Sequence, residues 1–327
     1  MYCYLLVAFA VGQVFAQRLP PFNVQNNELR EISKKLRETD DNKATNQIRY
    51  PSTTRDTPDP VTLRTMLAKN GEPHIDCSRQ KKNEQDLFIF FKKVDPSLLK
   101  KPSFSQFIAM MDNFNRQTGV AEPRVSVQEE QQEISAFLDT VLASRPWQTL
   151  YSFLNQRRQS FATTPVTFRQ WMLQLWFHHY SRAKGKADTS GFEHVFMGEE
   201  KNDKVSGLHN WVRFYQLERN ATENFDYKGF IVKRAMSACN NVMAELKFSW
   251  KGDLKRSGSL LIGTSPEFDM ALYTLCFLLR GGKEMCNVEL DGCPLSITGY
   301  DMVQNNKVYI STIYPAAGPT SSACGRA

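Results

Sequence analysis

Apolar side chains recur at helical spacing through the first half of the chain. Leu29, Ile32 and Leu36 lie three and four residues apart, which predicts one short helix. Ile134, Phe137, Leu138, Val141 and Leu142 share one side of a helix over 128–142, and Trp171, Leu173, Leu175, Trp176 and Phe177 make 168–180 a dense central packing helix. Beyond Gly185 the period shortens to two. Phe192-Glu193-His194-Val195-Phe196 alternates as a strand does, and Ala244, Leu246, Phe248 and Trp250 alternate with Glu245, Lys247 and Ser249 like a half-buried strand. Ser265-Pro266-Glu267 supplies an N-cap, a first-turn proline and an acidic first turn for a helix through Leu272, Leu275, Cys276 and Leu279 to Gly281. Val288–Leu290, the turn Asp291-Gly292 and 294–298 predict a hairpin, followed by a last strand over 308–314. Helices first, then mixed strands and helices, predict an α+β fold in which an N-terminal helical region packs on mixed antiparallel sheets.

The stretch 17–59 is polar and proline-punctuated, and reads as a linker or pro-segment around its one helix. The long apolar run before it is too short to span a bilayer and ends with Val14 and Ala16 in the small-residue positions before Gln17. Residues 1–16 therefore read as a signal peptide, the chain as secreted, and no later segment as a membrane span. A hydrophobic content of 41% with 12% aromatics excludes disordered and coiled-coil chains. The 41 basic against 34 acidic residues give +7, compatible with a polyanionic partner. Loss of the leader removes Cys3 and leaves Cys77, Cys239, Cys276, Cys286, Cys293 and Cys324. This even number in a secreted chain admits up to three disulfides, with the pairing open, while Cys276 in its apolar helix also reads as a buried free thiol. Asn220-Ala221-Thr222 is the usable glycosylation sequon.

Of the five histidines, His178 and His179 are adjacent, so on a helix they point about 100° apart and read as structural or surface groups. His74 has no companion. His194 and His209 differ, because a strand, a polar turn and a helix start can fold back and bring two imidazoles together. With Ser206 as N-cap and Gly207 at N1, His209 falls in the first helical turn, where the dipole disfavours the imidazolium and leaves a neutral base.

The segments Gly191–Glu199, Val205–Glu218, Trp250–Gly263 and Thr264–Cys276 resemble the EndoU (XendoU-type) family, the uridylate-specific endoribonucleases of animals. Glu-His-Val-Phe and Ser-Gly-Leu-His-Asn-Trp are specific as a pair, and the downstream blocks follow in the family's order. The resemblance covers roughly residues 60–315 and implies that 60–327 is one EndoU-like catalytic domain. Carried over by position, it implies a catalytic trio of His194, His209 and Lys255. It implies base contact by Ser259, substrate contact by Thr298 and Tyr300 in Thr-Gly-Tyr, and supporting carboxylates at Glu193 and Glu199. Lys228 and Lys251 read as solvated charges.

The implied chemistry is RNA cleavage at uridines by the substrate's own 2′-hydroxyl. His209 acts as base, His194 as acid and Lys255 as electrostatic stabiliser, with either order of the two imidazoles open, and the ends are a 2′,3′-cyclic phosphate and a 5′-hydroxyl. DNA, lacking that hydroxyl, is left intact. The family also implies stimulation by Mn²⁺, or Ca²⁺ in some members, with the carboxylates near His194 as the place to look, and a monomeric enzyme. An alternative from another class is a secreted RNA-binding or interaction protein with weak or lost catalysis, against which the intact trio argues. A serine protease is discounted for want of a nucleophile motif.

Overall fold

The computed structural model describes residues 19, 20, 22–44, 47–49, 89–119, 127–183, 185, 187–237, 240–281 and 284–324. The leader, Cys3, His74, Cys77 and Cys239 lie outside them. Helix α1 (Asn26–Glu38) buries Leu29, Ile32 and Leu36, as their spacing predicts. The helix is part of the core, so the packed unit takes in a portion of the stretch read as linker or pro-segment. The two-residue strands β1 (Ile48–Arg49) and β2 (Lys93–Val94) pair, and the short α2 (Pro96–Leu99) and α3 (Pro102–Ala109) follow. The helical half then adds α4 (Val127–Ala143), α5 (Arg145–Gln156) and α6 (Pro165–Trp176).

After α6 the chain enters a five-residue π-helix, Glu193–Met197, then β3 (Glu199–Glu200) and β4 (Val205–Ser206), which pair with each other, and α7 (Trp211–Arg219). The strand expected at 192–196 is thus a wide helical turn. All five residues of the turn are buried, so no polar face exists to display a helical period, and Phe192 and Phe196 stack into a cluster with Phe107, Phe137 and Phe177. Two three-stranded antiparallel sheets follow. One has the order β5 (Phe225–Ser237), β6 (Asn240–Trp250), β7 (Asp253–Leu261), and the other β10 (Lys307–Ala317), β9 (Cys293–Gln304), β8 (Cys286–Leu290). Along β6, Ala244, Leu246, Phe248 and Trp250 are buried while Glu245, Lys247 and Ser249 are partly exposed, as the alternation predicts.

Helix α8 (Pro266–Arg280) connects the sheets and is the true centre of packing, since every residue from Pro266 to Leu279 is buried. Its start is the predicted one, with Ser265 Oγ accepting from Phe268 N at 3.1 Å and Gly281 closing the far end in the left-handed region. Three indole N–H groups anchor to it or its entry. Trp147 donates to the Glu267 carbonyl oxygen (2.9 Å), Trp176 to Thr274 Oγ1 (2.9 Å) and Trp211 to the Thr264 carbonyl oxygen (2.6 Å). A buried donor left unpaired costs roughly 1–3 kcal/mol, so these bonds fix where the aromatic helices sit. Cys276 is disulfide-bonded to Cys286, and so is not the free thiol; Cys293 bonds Cys324. Among the described residues no helix is long and apolar enough to cross a membrane.

Candidate active site

The two imidazoles meet because backbone joins their segments. Leu208 N donates to the His194 carbonyl oxygen (3.2 Å) and His209 N to that of Val195 (2.7 Å), which lays 207–209 against the π-helix. The close approach requires Gly207. At its φ of +65° a Cβ would stand 1.7 Å from the His194 carbonyl oxygen. His209 lies ahead of α7 rather than in its first turn. The N-cap is Asn210, whose Oδ1 accepts from Val212 N (2.9 Å) and Arg213 N (3.1 Å), and Ser206 belongs to β4. The helix dipole therefore is not what neutralises this histidine. Burial, then the positive charge of Lys255, holds His209 well below its ordinary value.

His209 and His194 differ in what their Nδ1 atoms face. His209 Nδ1 donates to the Ser259 carbonyl oxygen at 2.7 Å, which fixes the neutral tautomer with Nε2 as a free acceptor. His194 Nδ1 lies 3.0 Å from Glu199 Oε2. Burial raises the Glu199 carboxyl, but the bonds from His194 and Thr189 and the charge of Arg182 outweigh it, so this acid stays ionised. Burial lowers His194 while Glu199 pulls it back up, whereas at His209 only the bond to the Ser259 carbonyl opposes the lowering. Glu193 supports the turn from within, its Oε2 accepting from Ser190 N at 3.3 Å.

Lys255 projects from β7 opposite Phe248 on β6. Burial alone brings its ammonium down to about 8, and among the described residues it has no hydrogen-bond or carboxylate partner. Lys228 and Lys251 are paired to Asp226 (2.6 Å) and Glu223 (3.3 Å) at the surface. His178 and His179 lie past α6, with His179 3.9 Å from Glu130.

His194, His209, Lys255 and Ser259 line one cleft of about 380 Å³, together with Ser206, Gly207, Glu245 and Ser257. Its far wall is β10, through Thr312, Tyr314, Pro315 and Ala316. Thr298 and Tyr300 are not among the lining residues. They sit on β9 as the cross-strand partners of Tyr314 and Thr312, and Tyr300 is 48% exposed. Tyr314 stacks on His209 with ring centroids 5.3 Å apart and planes at 27°. The sequence reading missed Thr312 and Tyr314 because Thr-Ile-Tyr repeats the Thr-Gly-Tyr spacing on the adjacent strand. Only the placement of β10, not β9, along the cleft tells the two apart.

The carboxylates near His194 do not form a cation site. Both Glu199 oxygens are engaged by protein donors, Glu193 accepts from backbone, and among the described residues no group of three or more His, Cys, Asp or Glu side chains is arranged to hold a metal.

The family profile described as "Endoribonuclease XendoU" matches residues 28–315. A "Uridylate-specific endoribonuclease" of Bos taurus is 34% identical over 295 residues, covering 89% of this chain and 65% of that protein. "Poly(U)-specific endoribonuclease-B" of Xenopus laevis is 39% identical over 241 residues, covering 72% and 80%. The solved structure of XendoU, described as a splicing independent snoRNA processing endoribonuclease, superposes with a TM-score of 0.69 at 30% identity, covering 91% of this chain and 99% of that one. The chain spans under two thirds of the length of the mammalian relatives it matches.

Proposed function

Because the chain belongs to the XendoU endoribonuclease family, we propose that it is a secreted endoribonuclease that cuts single-stranded RNA at uridines. The observation that carries the proposal is the convergence of two unlike imidazoles and an unpaired, half-buried lysine on one cleft. His209 Nε2 takes the proton of the 2′-hydroxyl, the 2′-oxygen attacks the adjacent phosphorus, and the bond from phosphorus to the 5′-oxygen breaks. His194, protonated beside Glu199, gives its Nε2 proton to the departing 5′-oxygen. Lys255 stabilises the charge that grows on the phosphorane. The products are a 2′,3′-cyclic phosphate and a 5′-hydroxyl. The locked neutral tautomer of His209 and the carboxylate behind His194 support base and acid in that order.

Ser259, with Thr312 and Tyr314 of the β10 wall, meets the base in this reading, which their shared lining of the cleft supports. The buried disulfides Cys276–Cys286 and Cys293–Cys324 support an oxidising compartment, in keeping with a leader at 1–16, and Asn220 of the sequon is exposed. Mn²⁺ stimulation, which the resemblance implies, has no seat at the Glu193–Glu199 pair. The test is incubation with short RNAs differing at one base, with Mn²⁺ or with EDTA, followed by identification of the termini. Efficient cutting of a substrate with 2′-deoxyuridine at the scissile position would reject the mechanism.

A further inference from the structure

A second cleft, of about 650 Å³, meets the C-terminal end of the π-helix that carries His194, walled by Met197, Gly198, Arg116, Arg213, Trp250 and Lys251. At its base two guanidinium groups share one indole, Arg116 at 5.2 Å and Arg213 at 5.5 Å from the Trp250 ring. Their charges are not equally answered. Arg116 pairs with Asp253 and donates to the Trp250 carbonyl oxygen (3.0 Å), yet its buried Nε has no partner. Arg213 donates through Nε to the Met197 carbonyl oxygen (3.2 Å), and among the described residues it has no ion-pair partner and no bond from either Nη. Burial brings Arg213 down to about 10, with only the nearby charge of Glu223 opposing. Glu223 is itself taken up by Trp250 Nε1 (2.8 Å) and Lys251 (3.3 Å), and Asp112 stands exposed at the rim. Arg116 has Glu200 and Glu223 near it as well as Asp253, so the open position is the Arg213 fork. Its unbonded Nη donors, in a cleft roomy enough for a ligand, suit an anion of matching geometry, and a phosphate group is such an anion.

The two clefts share one face of the β6–β7 sheet. Trp250 is paired with Asp253 and Phe248 with Lys255, so Asp253, under Arg116, and Lys255 project from the same side of β7. Two residues of strand put them about 7 Å apart along it, close enough for one extended polyanion to touch both. We propose that the Arg116–Trp250–Arg213 cleft is a second phosphate subsite, holding a backbone phosphodiester of the RNA strand away from the one being cleaved. This rests on the proposed RNA substrate. Sequence-independent grip on the strand is then separate from base choice at Ser259, as phosphate and base contacts divide elsewhere in nucleic-acid recognition.

The test compares Arg213→Gln with the wild type by binding of a 2′-deoxyuridine-containing, non-cleavable long oligonucleotide and by turnover of a uridine dinucleotide too short to reach the second cleft. The expected result is an affinity loss of about tenfold for the long strand, with the slope of log affinity against log salt reduced by about 0.7. The dinucleotide should suffer much less, and Arg213→Lys should keep most of the slope. Lys251→Gln, at the exposed rim and paired to Glu223 rather than to the π-helix, is the second variant if Arg213→Gln does not fold, and should weaken the long strand in the same direction. Equal losses on long and short substrates would assign Arg213 to support of the π-helix and overturn the subsite. So would an unchanged salt slope, or inorganic phosphate protecting the cleft while strand length has no effect. A wild-type protein that binds the long strand in this length-dependent way but never cuts RNA would sink the proposed activity and leave the subsite standing.

Discussion

The His209 Nδ1–H points at the backbone carbonyl of Ser259, 2.7 Å away, so one residue of β7 locks an imidazole with its main chain and lines the cleft with its hydroxyl. Ser259→Ala therefore leaves the histidine held. It should narrow the uridine-to-cytidine ratio more than it slows an optimal uridine substrate, by an amount set by one unpaired polar group, roughly 1–3 kcal/mol. Cleavage of matched oligonucleotides differing at that single base measures it, and an unchanged ratio moves base recognition to β10.

His194→Ala and His209→Ala should each lower kcat by roughly 10²–10⁴, the range of a single proton-transfer catalyst. Losses in the double variant should not add, because both act on one transition state. Glu199→Gln removes a charge-assisted bond worth roughly 1.5–3 kcal/mol, or about ten- to a hundredfold in rate. Steady-state kinetics with circular dichroism as the folding control decides. His178→Ala, outside the cleft, should retain near-normal turnover.

The pH profile of kcat/KM should be bell-shaped with its centre on the acid side of neutrality. His209 is held well below its usual value, so the base stays deprotonated into mildly acidic solution. His194 is also lowered, so its acid form is lost as pH rises toward neutrality. Lys255, near 8, loses its charge later and deepens the alkaline fall. Lys255→Arg should remove that last component. An optimum above pH 8 would contradict both assignments.

Tyr314→Ala should impair cleavage of every substrate strongly, whereas Tyr300→Ala should have the smaller effect, because Tyr314 is the ring stacked on His209 and Tyr300 lies half exposed on the neighbouring strand. Side-by-side turnover numbers check this, and the reverse order would return the role to Thr298 and Tyr300.

Stability should fall as pH rises because of a carboxyl cluster at the start of α8. Burial pushes Asp40 up to about 6 and Asp269 well above the usual carboxylate range, with the charge of Glu267 adding to the rise at Asp40 and that of Asp40 to the rise at Asp269. A raised group binds its proton more tightly in the folded chain. Its contribution is complete below the unfolded value and is lost as pH climbs through the folded one, at up to about 1.4 kcal/mol per pH unit for each proton. Asp269→Asn keeps an acceptor for Asn210 Nδ2 (3.1 Å in the native protein) without the charge. Its Tm should exceed the wild type's at pH 8 and converge with it at pH 4, as thermal melts across that range will show.

Elements with one wet face, or with a local cap or turn signal, were legible from the residues. The alternation over 244–250, within the strand Asn240–Trp250, the Ser265 cap, and the Asp291-Gly292 turn (φ of 50° and 78°) all stand where the pattern puts them. What escaped lies where that contrast vanishes or where local signals compete. The π-helix is buried on all sides. Ser206 and Asn210 both satisfy the chemistry of an N-cap, and long-range pairing of Val205–Ser206 with Glu199–Glu200 gives the role to Asn210. The twin Thr-x-Tyr triplets differ only in sheet position. The trio itself was legible through family likeness, since nothing in the spacing of Lys251 and Lys255 shows which ammonium is enclosed.

Gly207 has a use at the bench. A methyl group there cannot coexist with the His194 carbonyl oxygen, so Gly207→Ala must push the two imidazoles apart without altering a single ionisable side chain. The resulting protein would carry the isoelectric point, the surface field and the strand-gripping arginines of the parent. It is therefore the fitting blank for measurements in which charge alone draws RNA to the protein, a purpose that alanine at either histidine serves less well.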